Sequence, residues 1–138
     1  MREILFRGKT IKQNKGVTTE KTIKENMWVY GNLTIGEIEG YKADMISNKK
    51  EIYYINPETI GQYTGLTDKN GTEIFEGDIM PVWENGEKYL YKVVYCGDCF
   101  MLAMLDSEQG SYPLSIKHDI SEVIGNIYDN PELLEVEE

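Results

Sequence analysis

The spacing of apolar and polar positions along this chain is that of a β protein. Residues 3–7 (EILFR) hold a short apolar centre between charged flanks and predict a strand. Residues 27–30 (MWVY) are β-branched and aromatic, are closed by Gly31 and Asn32, and predict a second. Between them, residues 8–26 are polar, rich in Thr and Lys and without a sustained period, which reads as a long loop or an extended hairpin, with a helical turn over 18–24 as the variant. Residues 41–46 and 51–55 predict two strands joined by Ser47-Asn48-Lys49-Lys50 as a hairpin. Asn56-Pro57 stops the second of them, because proline donates no ladder hydrogen bond and holds the residue before it extended.

The middle of the chain carries the sharpest local signals. Residues 62–67 and 72–75 flank Asp68-Lys69-Asn70-Gly71, and Asn-Gly between extended runs predicts a type I′ hairpin, whose two turn residues both need positive φ. Gly77-Asp78 marks a further turn. Residues 79–83 and 88–95 flank Glu84-Asn85-Gly86-Glu87, a second Asn-Gly hairpin. Its return strand alternates Tyr89, Tyr91, Val93 and Tyr95 with Lys88, Leu90, Lys92 and Val94, which sends the two sets to opposite faces of a sheet. After a turn at Gly97-Asp98, residues 100–105 (FMLAML) are too few for a core helix and predict a strand buried on both faces. Residues 112–116 predict a short strand interrupted by Pro113, and residues 122–128 the last strand. Asn130-Pro131-Glu132 then starts a helical turn that Leu133 and Leu134 pin to the sheet.

The fold class that follows is mainly β, a hairpin-rich meander with a short C-terminal helical turn. A small SH3-like barrel is the closure expected of the C-terminal half, although alternation and turns do not by themselves establish closure. At 138 residues the chain suits one domain over 1–138 that needs neither disulfide nor metal to fold. Within it, 1–56 holds the basic N-terminal strands and long loop, and 57–138 an acidic β core.

Charge sharpens that division. The net charge is −10. Residues 1–50 carry ten Lys or Arg against six acids, whereas residues 51–138 carry four Lys against eighteen acids. An acidic molecule repels a phosphate backbone, which disfavours sequence-independent DNA binding by the whole chain. The basic stretch from Arg2 to Lys24 admits three readings: a solvated face and loop, contact with the acidic half of the same or a neighbouring subunit, or local contact with nucleic acid through Arg7, Lys9, Lys12, Lys15, Lys21 and Lys24. Residues 129–138, with five acids and no base, read as a solvated terminus. No apolar run approaches the roughly 18 residues of a membrane span, no secretory leader is visible, and two cysteines are too few for a disulfide scaffold. The expected setting is the reducing cytoplasm.

Few residues form a chemical constellation. Cys96-Gly97-Asp98-Cys99 has the spacing of half a zinc knuckle, and His118 is the one histidine that can join it, with Asp98 or Asp119 as a fourth ligand. A redox pair would sit at a helix N-terminus, whereas Gly97-Asp98 reads as a hairpin tip, so two thiols flanking a turn is the preferred reading. Asp68, Asn70 and Glu73 lack the twelve-residue calcium-loop pattern and read as turn chemistry. Glu73, Glu76 and Asp78 are candidate paired carboxylates, with Asp78 read instead as a turn cap. There is no G-x-S-x-G elbow, Walker loop or dinucleotide-binding glycine pattern. Trp28, Tyr30, Tyr41, Tyr53, Tyr54, Tyr89 and Tyr91 are candidates for a single-strand stacking platform, with cross-strand packing as the commoner use. No catalytic residue and no cofactor is expected.

Residues 55–79 (INPETIGQYTGLTDKNGTEIFEGDI) resemble the central signature of the YopX-like proteins, and residues 2–8 (REILFRG), 28–33 (WVYGNL) and 122–134 (EVIGNIYDNPELL) resemble its satellites in the same order. The resemblance reaches both ends of the chain. It implies a largely β product of a bacteriophage or prophage, mainly of Gram-positive hosts, and its motif is tied to no known chemistry. Read physically, Gly61, Gly65, Gly71 and Gly77 are turn and bulge devices, and Tyr63, Leu66, Ile74, Phe75 and Ile79 are core. The expected role is that of a non-enzymatic accessory protein in the bacterial cytoplasm, acting by self-association or by binding a host protein. The alternatives are nucleic-acid binding through the basic N-terminal segment and an enzyme with a carboxylate or cysteine site.

Overall fold

A computed structural model describes residues 5–11, 25–38, 40–49, 51–107 and 109–134. The chain divides into two units, residues 1–62 and 63–138. The loop or helical turn expected within residues 12–24, and with it Lys12, Lys15, Lys21 and Lys24, lies outside the described residues, as does the end of the acidic tail.

The first unit is built on β1 (Phe6–Lys9), β2 (Trp28–Thr34), β5 (Met45–Ser47) and β6 (Ile52–Tyr54), hydrogen-bonded antiparallel in the order β6-β5-β2-β1. The expected 41–55 hairpin is present as β5 and β6, with a short ribbon of β3 (Glu37–Ile38) and β4 (Tyr41–Lys42) before it. Register sorts the side chains by parity. Gly8 faces Val29, Leu33 faces Ile46, and Ile46 faces Tyr53, which gathers Val29, Ile46 and Ile55 into a core with Phe6, Leu33, Tyr53 and Ile60 against them. The alternate set, including Lys9, Trp28, Tyr30, Ser47 and Ile52, shares the opposite face. Asn56 ends this unit's last strand as expected: its Oδ1 accepts the Glu58 N–H at 3.0 Å and Pro57 opens a single 3-10 turn, Pro57–Thr59.

The second unit holds β8 (Glu73–Phe75), β9 (Asp78–Glu84), β10 (Glu87–Cys96), β11 (Cys99–Met104), β12 (Gly110–Pro113), α1 (Leu114–Lys117) and β13 (Gly125–Asn126). β7 (Gly61–Thr67) supplies its first two residues to the first unit, where they pair with β1, and pairs with β8 from Tyr63 onward. The main sheet is antiparallel in the order β12-β11-β10-β9-β13. Its pleat buries Met80, Val82, Tyr91, Val93, Phe100 and Leu102 on one side, where Ile74 and Leu114 complete the core. Each such side chain contributes about 1.5–3 kcal/mol, so this cluster dominates the unit's stability. The strand expected over 100–105 is present, and Tyr63, Ile74, Phe75 and Ile79 are buried as read from the sequence. This sheet ends in two separate edge strands, so its described pairing does not close the expected barrel.

Three local expectations change. Asn85 and Gly86 both have positive φ, as a type I′ turn requires, but of Asn70-Gly71 only Gly71 does. There Asp68 has captured the turn: its Oδ1 accepts the N–H groups of Asn70 at 2.8 Å and Thr72 at 3.0 Å, while its backbone carbonyl accepts from Gly71 at 3.0 Å. The strand expected over 112–116 stops at Pro113, and α1 follows because a helical turn buries Leu114. Of 122–128 only Gly125–Asn126 is strand. Asn126 Oδ1 accepts the N–H of Tyr128 at 3.0 Å and of Asp129 at 2.8 Å, which diverts those amides from a ladder. The C-terminal turn is a 3-10 turn over Pro131–Leu134. No helix among the described residues is long and apolar enough to cross a membrane.

Candidate functional site

The most exposed aromatic side chain of the second unit stands at the end of β9. Alternation sends Met80 and Val82 into the core and Pro81 and Trp83 to the other side. Pro81 is covered, but Trp83, one residue farther toward the Asn85-Gly86 turn than the last core residue, is 66% exposed. After α1 the chain returns antiparallel along the edge of β9. Gly125 lies opposite Ile79, the Ile124 N–H donates to the Ile79 carbonyl at 3.0 Å, and the Ser121 hydroxyl donates to the Pro81 carbonyl at 2.5 Å. On that course Ser121, the residue after Ile120, reaches the backbone of Pro81, two residues before Trp83. Ile120 is 66% exposed, Ile116 one helical turn earlier is 62% exposed, and Ile124 is 39% exposed. Exposed apolar side chains of this size mark interaction surfaces where they form a contiguous patch.

Three carboxylates of this unit are held by neutral donors, and in the β9–β10 register Glu84 and Glu87 share the parity of Val82 and Tyr91, opposite to Trp83. Glu84 accepts the Tyr91 hydroxyl at 3.3 Å, Glu87 the Tyr89 hydroxyl at 2.6 Å, and Glu122 the Asn70 side-chain amide at 3.2 Å. The hydrogen bond to Glu87, with the charges of Glu87 and Glu84, raises the Tyr89 hydroxyl above its ordinary pKa. Burial, then the charge of Glu84, does the same for Tyr91. Both tyrosines therefore remain neutral donors at physiological pH, and they position negative charge without cancelling it. Lys88, opposite Trp83 in the β9–β10 register, is the base nearest in register.

The residues singled out in the sequence are placed differently. Cys96 and Cys99 face each other across the β10–β11 hairpin, whose tip carries Gly97 at a φ of 71°, and both thiols are free. His118 lies elsewhere, with Nδ1 2.7 Å from the Thr67 carbonyl oxygen; a carbonyl only accepts, so Nδ1 carries the proton. Among the described residues no three His, Cys, Asp or Glu side chains converge to hold a metal ion. Asp78 caps the turn before it, accepting the Phe75 N–H at 2.8 Å from a buried position, while Glu73 is exposed. Asp68 and Asn70 belong to the turn described above.

Arg7 and Lys9, the described members of the basic stretch, both lie over the Trp28 ring, 4.5 and 5.4 Å from its centroid. That ring face is thus engaged by the protein's own cations. The seven aromatics considered as a stacking platform do not share one surface. Trp28 and Tyr30 are on one face of the first unit, Tyr53 packs in its core, and Tyr89 and Tyr91 belong to the second unit. The side chain of Tyr41 lies outside the described residues. Sequence reasoning missed the Trp83 group. The alternation of β9 signals Trp83, but Ile116 lies on the helical turn that replaces the end of the expected strand, and Ile120 on the 3-10 turn after it.

A family model described as YopX protein matches residues 6–135. No curated protein matches the chain. Among solved structures, it is similar to the crystal structure of protein EF1440 from Enterococcus faecalis, at 28% identity and a TM-score of 0.48, over 98% of this chain and 100% of that one.

Proposed function

The chain belongs to the YopX family, and from that premise we propose that it acts by binding another protein through the Trp83 face of its second unit. In this reading it is an accessory protein of phage or prophage origin, working in the bacterial cytoplasm and catalysing no reaction of its own. The observation that carries the reading is the exposure of Trp83, at 66%, at the end of a strand of a well-packed sheet. An exposed tryptophan on a rigid, well-packed sheet is a favoured anchor of a binding hot spot, where a partner excludes water from the ring.

Site-specific photo-crosslinking in cells tests it. With p-benzoylphenylalanine at Ile120, irradiation is expected to yield a defined protein adduct. The same group at Asp98 serves as the control. Asp98 is exposed at the far end of the ten-residue strand β10, about 30 Å from the Asn85-Gly86 turn, and is expected to give none. Equal labelling at both positions, or no protein adduct at Ile120, contradicts the reading.

A further inference from the structure

The hairpin that joins β10 to β11 collects three sulfur atoms on one side. Cys96 pairs with Cys99 directly across the ladder, and Val94 pairs with Met101 farther in. Residues paired across a ladder share a face, as do residues two apart along a strand, so Cys96, Cys99 and Met101 lie on the same face. It is the face turned away from the core, to which Phe100 and Leu102 of the alternate parity belong. The Cys99 thiol donates to the Met101 thioether sulfur at 3.4 Å. Directly paired residues hold their Cβ atoms roughly 4.5–5.5 Å apart, so the two cysteine sulfurs can reach a common point between them. Gly110 makes the room in which the Met101 side chain lies: a Cβ on Gly110 would fall 2.5 Å from Met101 Cβ and 2.7 Å from its Cγ and Cε. Both thiols are free, Cys99 is exposed, and Cys96 and Met101 are half-buried, so the group is open to an ion from solvent.

We infer that Cys96, Cys99 and Met101 form a binding site for one soft monovalent cation of the Cu(I) class. Thiolate and thioether donors together select Cu(I), whereas hard ions want carboxylate, carbonyl or water oxygens. A structural zinc ion takes four donors, and among the described residues no three His, Cys, Asp or Glu side chains converge to supply them. A thioether contributes nothing to a disulfide, so the contact of Met101 with Cys99 sets this group apart from a simple thiol pair. Binding releases the protons of both thiols, and the ion is then held by two thiolates and one neutral thioether. The ladder holds the donors close together before the ion arrives, which lowers the ordering cost of binding. The group stands at the end of β10 away from the Asn85-Gly86 turn, so it does not depend on the Trp83 face.

Anaerobic titration of the full, reduced chain with Cu(I), supplied as its acetonitrile complex against bathocuproine disulfonate as competing chelator, tests this. One Cu(I) is expected per chain, with a thiolate-to-copper absorption band in the ultraviolet. Native mass spectrometry is expected to show one copper added to the 15.9 kDa chain. Three variants, each checked for an unchanged circular dichroism spectrum and melting curve, divide the donors. Cys96→Ser and Cys99→Ser are each expected to abolish binding. Met101→Leu conserves volume, which a fold tolerates well, and leaves both thiols titratable. Removing a partner that only orients a ligand already costs a metal site roughly 10- to 100-fold in affinity, so removing the Met101 sulfur itself is expected to weaken Cu(I) at least tenfold. A wild-type chain that yields all its Cu(I) to the chelator, or one ion shared between two chains, overturns the proposal. So does a cysteine variant or a Met101→Leu variant that binds like wild type, or Zn(II) that displaces Cu(I) at equal concentration.

Discussion

Gly31→Ala is expected to cost about 3 kcal/mol of stability and lower Tm by on the order of 10 °C. A Cβ placed on Gly31 falls on the carbonyl oxygen of Ser47, with the Ser47 carbonyl carbon at 2.9 Å and Ile46 Cγ2 at 3.2 Å. The obstacle is backbone, so no rotamer change relieves it. The pairing of Asn32 with Ser47 lies one residue away, and Ile46, a fully buried member of the first unit's core, lies alongside. Moving β5 away therefore breaks ladder bonds and opens the core together. Gly40→Ala is the control. Gly40 has a φ of 83° but nothing within 4 Å of its built Cβ, so only backbone strain of about 1 kcal/mol applies. Thermal melts followed by circular dichroism give both values, and equal losses for the two variants contradict the steric account.

Asp68→Ala is expected to cost a similar amount, about 3 kcal/mol, for a different reason. One carboxylate serves three backbone amides: Oδ1 accepts from Asn70 and Thr72, and Oδ2 accepts from Val123 at 2.8 Å, 55 residues along the chain. Alanine leaves all three without this acceptor in a largely buried place, at about 1 kcal/mol or more each. Asp68→Asn keeps one oxygen and is expected to lose about half as much. Acid sensitivity separates the two roles. Burial alone pushes the Asp68 carboxyl upward, but the amides of Val123, Thr72 and Asn70, with the charge of Lys69, outweigh it and hold the group below its ordinary range. A depressed folded-state pKa gives stability that is complete above the unfolded value, about 4, and is lost as pH falls through the folded value. Urea titrations are therefore expected to show the gap between wild type and Asp68→Asn narrowing below about pH 4. A gap of constant size at all pH values contradicts this assignment.

These two sites also show how far local sequence reaches. Asn85-Gly86 is legible because the hairpin's geometry is settled by the two turn residues themselves, which both take positive φ. The same dipeptide at Asn70-Gly71 forms a different turn because Asp68 reaches its amides and, at the same time, one from Val123. The alternation of β10 and the strand at Cys99–Met104 are legible for the same reason as the first hairpin, since period and length decide them. The end of β12 is not, because burial of Leu114 is a tertiary demand that Pro113 merely permits. Nor is the fate of 122–128, where side chains of Asn126 and Asn130 compete with the ladder for backbone amides. The candidate site inherits that limit. Trp83 follows from strand parity, but the exposure of Ile116 depends on a helical turn that the apolar pattern reads as strand.

Fluorine NMR of the chain labelled with 5-fluorotryptophan tests the binding face most directly, since the sequence has only Trp28 and Trp83. Trp83→Phe assigns the two signals. The Trp83 signal is expected to shift on addition of the partner captured at Ile120, as its ring leaves water. A Trp83 signal that stays at its dilute position while the protein is shown to be in complex places the contact elsewhere and contradicts the account.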